Sequence, residues 1–165
     1  MLPLKKQDST VVCSTHTYES TVIQESASKL WPIFRSLSLE KILPNKAIKN
    51  PFSFIKRPFF FQVNKVNWLD GAAGQVGSHL EIVWKDGASW KVLITEISDL
   101  NHFISYELVE AEPPLGTSSL QATIRLLRVT DEQHTFISWV YNIIYKERNI
   151  EFFELYNFLL GNWFP

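Results

Sequence analysis

The residues of this 165-residue chain with chemistry to offer are four histidines, one cysteine, the carboxylates and five tyrosines. His16, His79, His102 and His134 follow no interval that recurs in metal sites, so no metal centre is expected. Cys13 and His16 are close in sequence but lie near what reads as a frayed end, and Cys13 is taken as inert. GAAGQVG, residues 71–77, spaces three glycines evenly instead of as G-x-G-x-x-G. A strand-like segment follows it, so a dinucleotide site is rejected and the glycines are assigned to a turn. For acid–base work the candidates are Glu96 and His102, because both share the parity of the apolar face of their strands, with Tyr141 as a third. Tyr106 and Tyr141, if buried, need hydrogen-bond partners, and a ligand oxygen, a backbone carbonyl or water could supply one. No titratable cluster emerges, so no catalytic residue is assigned beyond these candidates and no cofactor is expected.

The elements that must carry these groups follow from periodicity. THTYESTVIQ, residues 15–24, is β-branched and aromatic and predicts a first strand. Ser26 can cap a helix, behind which Leu30, Ile33, Phe34 and Leu37 recur at helical spacing, with Pro32 inside it. A short second helix is expected over 38–43, ahead of Pro44. From residue 63 the chain reads as six strands joined mostly by tight turns, among them Asp86-Gly87. It closes with a helical segment striped by Phe152, Phe153, Tyr156, Leu159, Leu160 and Trp163. Strands and helices are segregated, so the class is α+β, in the order β-α-α-β6-α. Residues 1–13 read as a loose tail and 14–165 as one domain.

Composition narrows the function classes. Hydrophobic residues make up 45%, charged residues 20% and aromatics 14%, with a formal net charge of −1. A basic footprint for nucleic acid is absent, and no window is long and apolar enough for a transmembrane helix. The start of the chain lacks the apolar core of a signal peptide, and a single cysteine suits a reducing compartment, so the cytoplasm is the expected location.

Alternation places Trp90, Val92 and Ile94 on one face of their strand, and Ile104, Tyr106 and Leu108 on one face of the next. Leu120, Ala122, Ile124 and Leu126 align likewise, as do Ile137, Trp139, Tyr141 and Ile143. Lys91, Thr95, Ser105, Glu107, Gln121, Thr123 and Arg125 take the opposite faces, which suit solvent. The expected inner wall is therefore aromatic and aliphatic.

In order and local signature the chain resembles the helix-grip superfamily of START domains, the major birch pollen allergen and polyketide cyclase/dehydrase-like proteins. The matching stretches are ESASKLWPIF (25–34), VNWLDGAAGQVGSHLEI (66–82), ISYELVEAEPPLGTSSLQATIRLLRV (104–129) and TFISWVY (135–141). The resemblance spans roughly residues 15–160, apart from an insert. It implies a seven-stranded curved antiparallel sheet gripping a C-terminal helix around a cavity for a hydrophobic ligand. Trp90, Val92, Ile94, Tyr106, Leu108, Leu120, Ala122, Ile137, Trp139 and Tyr141 would line it from the sheet, and Phe153, Tyr156 and Leu160 from the helix. Comparison with the plant abscisic-acid receptors of this superfamily puts Tyr106, Leu120, Ala122 and Trp139 at ligand-contacting positions. The Lys85-Asp86-Gly87 turn and the loop 112–118 fall at those receptors' gate and latch, but the first is too short to close and Pro113-Pro114 stiffens the second. The expected partner is a hydrophobic small molecule, with a cyclase or dehydratase activity as the alternative.

The insert is NPFSFIKRPFFFQ, residues 50–62 of a segment beginning near 48, with five phenylalanines and Lys56-Arg57. It reads as a plug or flap beside the helices. Its composition keeps open a peripheral membrane or protein contact through exposed apolar surface.

Overall fold

The computed structural model describes residues 13–38, 63–129 and 133–145. The loose tail up to residue 12, the second helix apart from Ser38, the phenylalanine-rich insert and the terminal helix, with Phe153, Tyr156 and Leu160, were expectations on residues outside these ranges. Cys13 and His16, expected near a frayed end, instead lie in a strand, paired with Tyr145 and Asn142.

Seven strands and one helix make up the described architecture: β1 (Cys13–Ile23), α1 (Ala27–Arg35), β2 (Val63–Asp70), β3 (His79–Trp84), β4 (Ser89–Ser98), β5 (Phe103–Glu112), β6 (Thr117–Arg128) and β7 (Thr135–Tyr145). They form one antiparallel sheet in the order β1-β7-β6-β5-β4-β3-β2. Consecutive strands from β2 to β7 are neighbours, as tight turns require, and only β1 travels, crossing to pair with β7. The core lies on the inner face, where alternate residues of β3 to β7 are almost fully buried.

Two irregularities decide which side chains reach that face. In β4, Ile94 pairs with Tyr106 but Glu96 pairs with Ser105, so Thr95 is an extra residue in the ladder. In β5, Lys91 pairs with Glu110 and Val92 with Leu108, leaving Val109 as the extra residue. Each bulge shifts parity by one. Ile97 and Ala111 therefore pack against the core, while Glu96 and Glu110 stand on the exposed face.

Helix α1 begins after Ser26, whose backbone carbonyl accepts from Lys29 and Leu30. The Ser26 hydroxyl does not cap the helix as the sequence suggested, but pairs with the Ser28 hydroxyl at 3.2 Å. Pro32 lies inside the helix and withholds the intrahelical N–H donor from the Ser28 carbonyl one turn before it. Leu37 takes the left-handed conformation, φ 47°, with Leu37 N–H donating to Phe34 O and Ser38 N–H to Ile33 O. This double closure ends helices cleanly but favours glycine; here the complete burial of the Leu37 side chain holds a leucine there.

A clasp ties α1 to the sheet. Asp99, in the β4–β5 turn, accepts from Trp31 Nε1 at 2.8 Å and from Arg35 Nε at 2.8 Å. Arg35 also donates to Gly74 O at 2.9 Å, linking the β2–β3 loop. Arg35 and then Trp31 hold the Asp99 carboxyl below its ordinary value of 3.8. A carboxyl depressed in the folded state stabilises above its unfolded value, and that contribution is lost as pH falls through the folded one. Acid titration of the wild type from neutral to pH about 2, set beside Asp99→Asn, is thus expected to show a steeper loss of stability below pH about 4 in the wild type. Parallel curves would contradict the clasp.

The β2–β3 loop makes its own demand. A Cβ on Gly71 would stand 2.2 Å from Ser78 Oγ and 2.8 Å from Ser78 Cβ, on a backbone at φ +71°. Gly87, in the β3–β4 turn, also has positive φ but open space around it. Gly71→Ala is expected to cost about 1–3 kcal/mol through clash and strain together, and Gly87→Ala about 1 kcal/mol through strain alone. Urea midpoints of the two variants check the order.

Candidate functional site

Strand pairing lays the inner face out in transverse rows. One runs Ile94, Tyr106, Ala122, Tyr141, Thr17 across β4, β5, β6, β7 and β1. The next runs Ile97, Ile104, Ile124, Trp139, Glu19. Because paired residues on one face stand about 5 Å apart, each row is a continuous strip of side chains. Ala122 is the small residue between the two tyrosines.

The aromatic groups pack as a set. Trp139 stacks on Tyr141 with centroids 5.5 Å apart and planes 19° apart, and meets Tyr106 edge-on at 6.4 Å. Trp90 meets Trp84 edge-on at 5.0 Å. Such offset and edge-to-face contacts add to plain area burial. Trp90, Val92, Ile94, Tyr106, Leu120, Ala122, Ile137, Trp139 and Tyr141 are all buried on this face, and Leu108, next to the β5 bulge, is half-buried.

Burial drives both phenols upward in pKa. For Tyr106 desolvation dominates, moderated by the nearby Tyr141 and Trp139; for Tyr141 desolvation is reinforced by Tyr106 and by the charge of Glu19. Both therefore stay neutral through the physiological range and act as hydrogen-bonding acids. Thr17 Oγ1 is buried and completes no hydrogen bond among the described residues, while the Tyr106 hydroxyl has Tyr141 and Trp139 as hydrogen-bonding neighbours.

The acid–base candidates do not meet. Parity alone put Glu96 on the inner wall, and the β4 bulge corrects this by turning it to the exposed face opposite Ser105. His102 sits at the strand end with φ 47°, its ring tilted against Trp31 at 5.3 Å and its carbonyl accepting from Leu126 N–H. It lines an open pocket of about 490 Å³ with Leu100, Asn101, Phe103 and the end of β6 at 125–128. Tyr141 alone of the three lies in the buried wall. Among the described residues no three of His, Cys, Asp and Glu gather in a metal-holding group, and no helix is long and apolar enough to cross a membrane.

Sequence reading placed a strand at β1 but missed its inner face. Its inner residues Thr15, Thr17, Glu19 and Thr21 are polar and pair with Ile143, Tyr141, Trp139 and Ile137, while Tyr18 and Val22 face outward and are exposed. The signal was obscured because the apolar parity of this edge strand is the wrong one. Only the register with β7 reveals it.

A seven-stranded antiparallel sheet in this order, with a helix between its first two strands, defines a helix-grip protein: the chain has the fold of the birch-pollen-allergen-like proteins. Solved structures agree along most of the chain. A protein from Nitrosospira multiformis matches with a TM-score of 0.62 at 17% identity, covering 89% of this chain and 92% of its own. The ginseng major latex-like protein 151 from Panax ginseng matches at 0.61 and 13%, covering 88% and 92%. Norcoclaurine synthase from Thalictrum flavum matches at 0.56 and 17%, covering 94% and 83%. No family model matches the sequence, and no curated protein matches it.

Proposed function

We propose that this chain binds a hydrophobic small molecule, of the lipid, sterol, hormone or polyketide-like kind, as a carrier or sensor. The ligand lies between the inner face of the sheet and the terminal helix expected over the last residues, against Trp90, Val92, Ile94, Tyr106, Leu108, Leu120, Ala122, Ile137, Trp139 and Tyr141. Phe153, Tyr156 and Leu160 are the residues proposed for the helix side. The observation that carries this reading is the buried wall itself, aromatic and aliphatic from β3 to β7, with Glu96 and His102 off it and only Tyr141 of the acid–base candidates within it. Sites for small molecules are mostly apolar with a few placed polar groups, and this wall has that composition. Covering about 300 Å² of apolar ligand area contributes about 7 kcal/mol before ordering costs, enough for micromolar binding. The single cysteine supports a cytoplasmic location.

Native mass spectrometry of the purified protein, mixed with an organic extract of its source, tests the reading. One small-molecule increment per chain is expected. An unchanged mass at every extract concentration would overturn it.

A second reading, a cyclase- or dehydratase-type enzyme, draws on Tyr141 and Tyr106, two buried neutral acids side by side on the apolar wall. Norcoclaurine synthase, an enzyme by name and of the same fold, has been solved with dopamine and hydroxybenzaldehyde. On this reading Tyr141→Phe abolishes turnover of the extracted ligand while leaving its binding within about twofold; equal turnover by the two proteins would remove it. A third role, membrane or protein contact through residues 50–62, is tested by liposome flotation with and without that segment.

A further inference from the structure

We propose that the free edge of β1 is a self-association surface, on which a second copy of this chain pairs antiparallel through its own β1, about a twofold axis at Tyr18.

The two edges of the sheet are built differently. β2 forms one edge and carries devices that discourage pairing: Lys65 and two register shifts, between Val63 and Lys65 and between Trp68 and Asp70. β1 forms the other edge and carries no glycine, proline, lysine or bulge. All 11 of its residues stay in unbroken register with β7, so the strand is held regular along its whole length. Its other side has no strand partner among the described residues, and there every second residue turns a backbone N–H and C=O outward. A regular row of such groups is a template for another strand.

The side chains select the occupant and the register. Antiparallel pairing about Tyr18, the midpoint of Cys13–Ile23, overlaps the full strand and offers about ten backbone hydrogen bonds, the number a specific interface typically carries. In that register Ser14 stands opposite Val22, Thr15 opposite Thr21, His16 opposite Ser20, and Tyr18 opposite Tyr18. Threonine pairs and aromatic pairs stabilise neighbouring strands, and the Tyr18 ring, 51% exposed on the outer face, gains cover. Glu19 is the single carboxylate on β1, an inward-facing charge of the kind that limits free pairing at an edge. Here it fixes the register. About Tyr18 it meets the uncharged Thr17 of the second copy, whereas an axis one residue further on, or parallel pairing in register, sets Glu19 beside Glu19. This self-matching about its own centre favours a second copy of β1 over an unrelated strand. The association joins two sheets edge to edge and does not enter the inner wall, so it stands apart from the proposed ligand binding.

Sedimentation velocity of the full chain, from about 1 µM to about 1 mM, tests the proposal. The expected result is a reversible monomer–dimer equilibrium with Kd about 10–100 µM, in keeping with an interface of one strand from each copy. Tyr18→Lys and Tyr18→Glu each set like charges against one another at the axis. Each is expected to weaken the dimer about tenfold, from the lost aromatic pair and the repulsion together. Because Tyr18 is exposed, both variants should keep the wild-type circular dichroism and urea midpoint. Mixing the two variants should restore association, since opposite charges then meet at the axis. Hydrogen exchange reads the edge itself: alternate β1 amides should gain protection with concentration in the wild type and not in Tyr18→Lys. A wild type that stays monomeric throughout, or a dimer that neither variant weakens, would overturn the proposal. So would β1 amides equally protected at the lowest and highest concentrations, which would seat another segment of this chain on the edge.

Discussion

Trp139→Ala is expected to destabilise the fold by about 3–5 kcal/mol, the range for removing a large aromatic from a close-packed core. Trp139 is buried on the central row of β7, stacked on Tyr141, edge-on to Tyr106 and paired in register with Ile124 and Glu19. The loss has two parts. The indole gives up its transfer free energy, and the void removes contacts from rings that relax only partly, because their strands are fixed by ladders on both sides. Domains of this size are stable by only about 5–15 kcal/mol, so the variant should populate unfolded chains in mild urea. Trp139→Phe keeps an aromatic plane against Tyr141 and is expected to cost less than half as much. Urea unfolding followed by far-ultraviolet circular dichroism, with unchanged slope, measures both. A loss under about 1 kcal/mol for the alanine variant would show that Trp139 is poorly packed despite its burial.

Ala122→Phe carries the second large effect, on binding. Ala122 is buried between Tyr106 and Tyr141, so a phenyl group there occupies the space over which the two phenols meet. Overpacking a core position costs about 1–3 kcal/mol, which a domain of this size can absorb. The affinity for an apolar ring compound should then fall by at least about tenfold, because ligand and phenyl compete for one volume. Calorimetry with 2-methylnaphthalene, alongside circular dichroism to confirm the fold, reads the effect. Undiminished affinity in a folded Ala122→Phe protein would place the ligand elsewhere, for instance in the open pocket beside His102 and Leu100.

These predictions depend on features that differ in how visible they were beforehand. The strands from β2 to β7 were legible because each is a period-2 run between turn signals, and Asp86-Gly87 closes its hairpin with Asp86 Oδ1 accepting from Ala88 N–H. The apolar wall was legible for the same reason. The β4 bulge was not, since TEIS carries no glycine or proline to mark an extra residue, and Glu96 was consequently assigned to the wrong face. The polar inner face of β1 was hidden because burial there is imposed by pairing with β7, far along the chain, and not by β1's own alternation. The Asp99 clasp joins the β4–β5 turn to Trp31 and Arg35 of α1 and, through Arg35, to Gly74 of the β2–β3 loop, and no local pattern encodes such a meeting. Thus the apolar part of the candidate site could be read from sequence, while its polar part, Thr17 and Glu19, required the register.

The central claim is that an apolar molecule sits on the inner wall of the sheet. Heteronuclear NMR of the full chain, titrated with 2-methylnaphthalene, tests it most directly. The account predicts saturable shifts at the indole N–H signals of Trp139 and Trp90 and at the Ala122 amide, with Leu100 and Leu127 at the rim unmoved. Shifts confined to Leu100, Leu127 and Arg128, or no shifts at saturation of the probe, would contradict it.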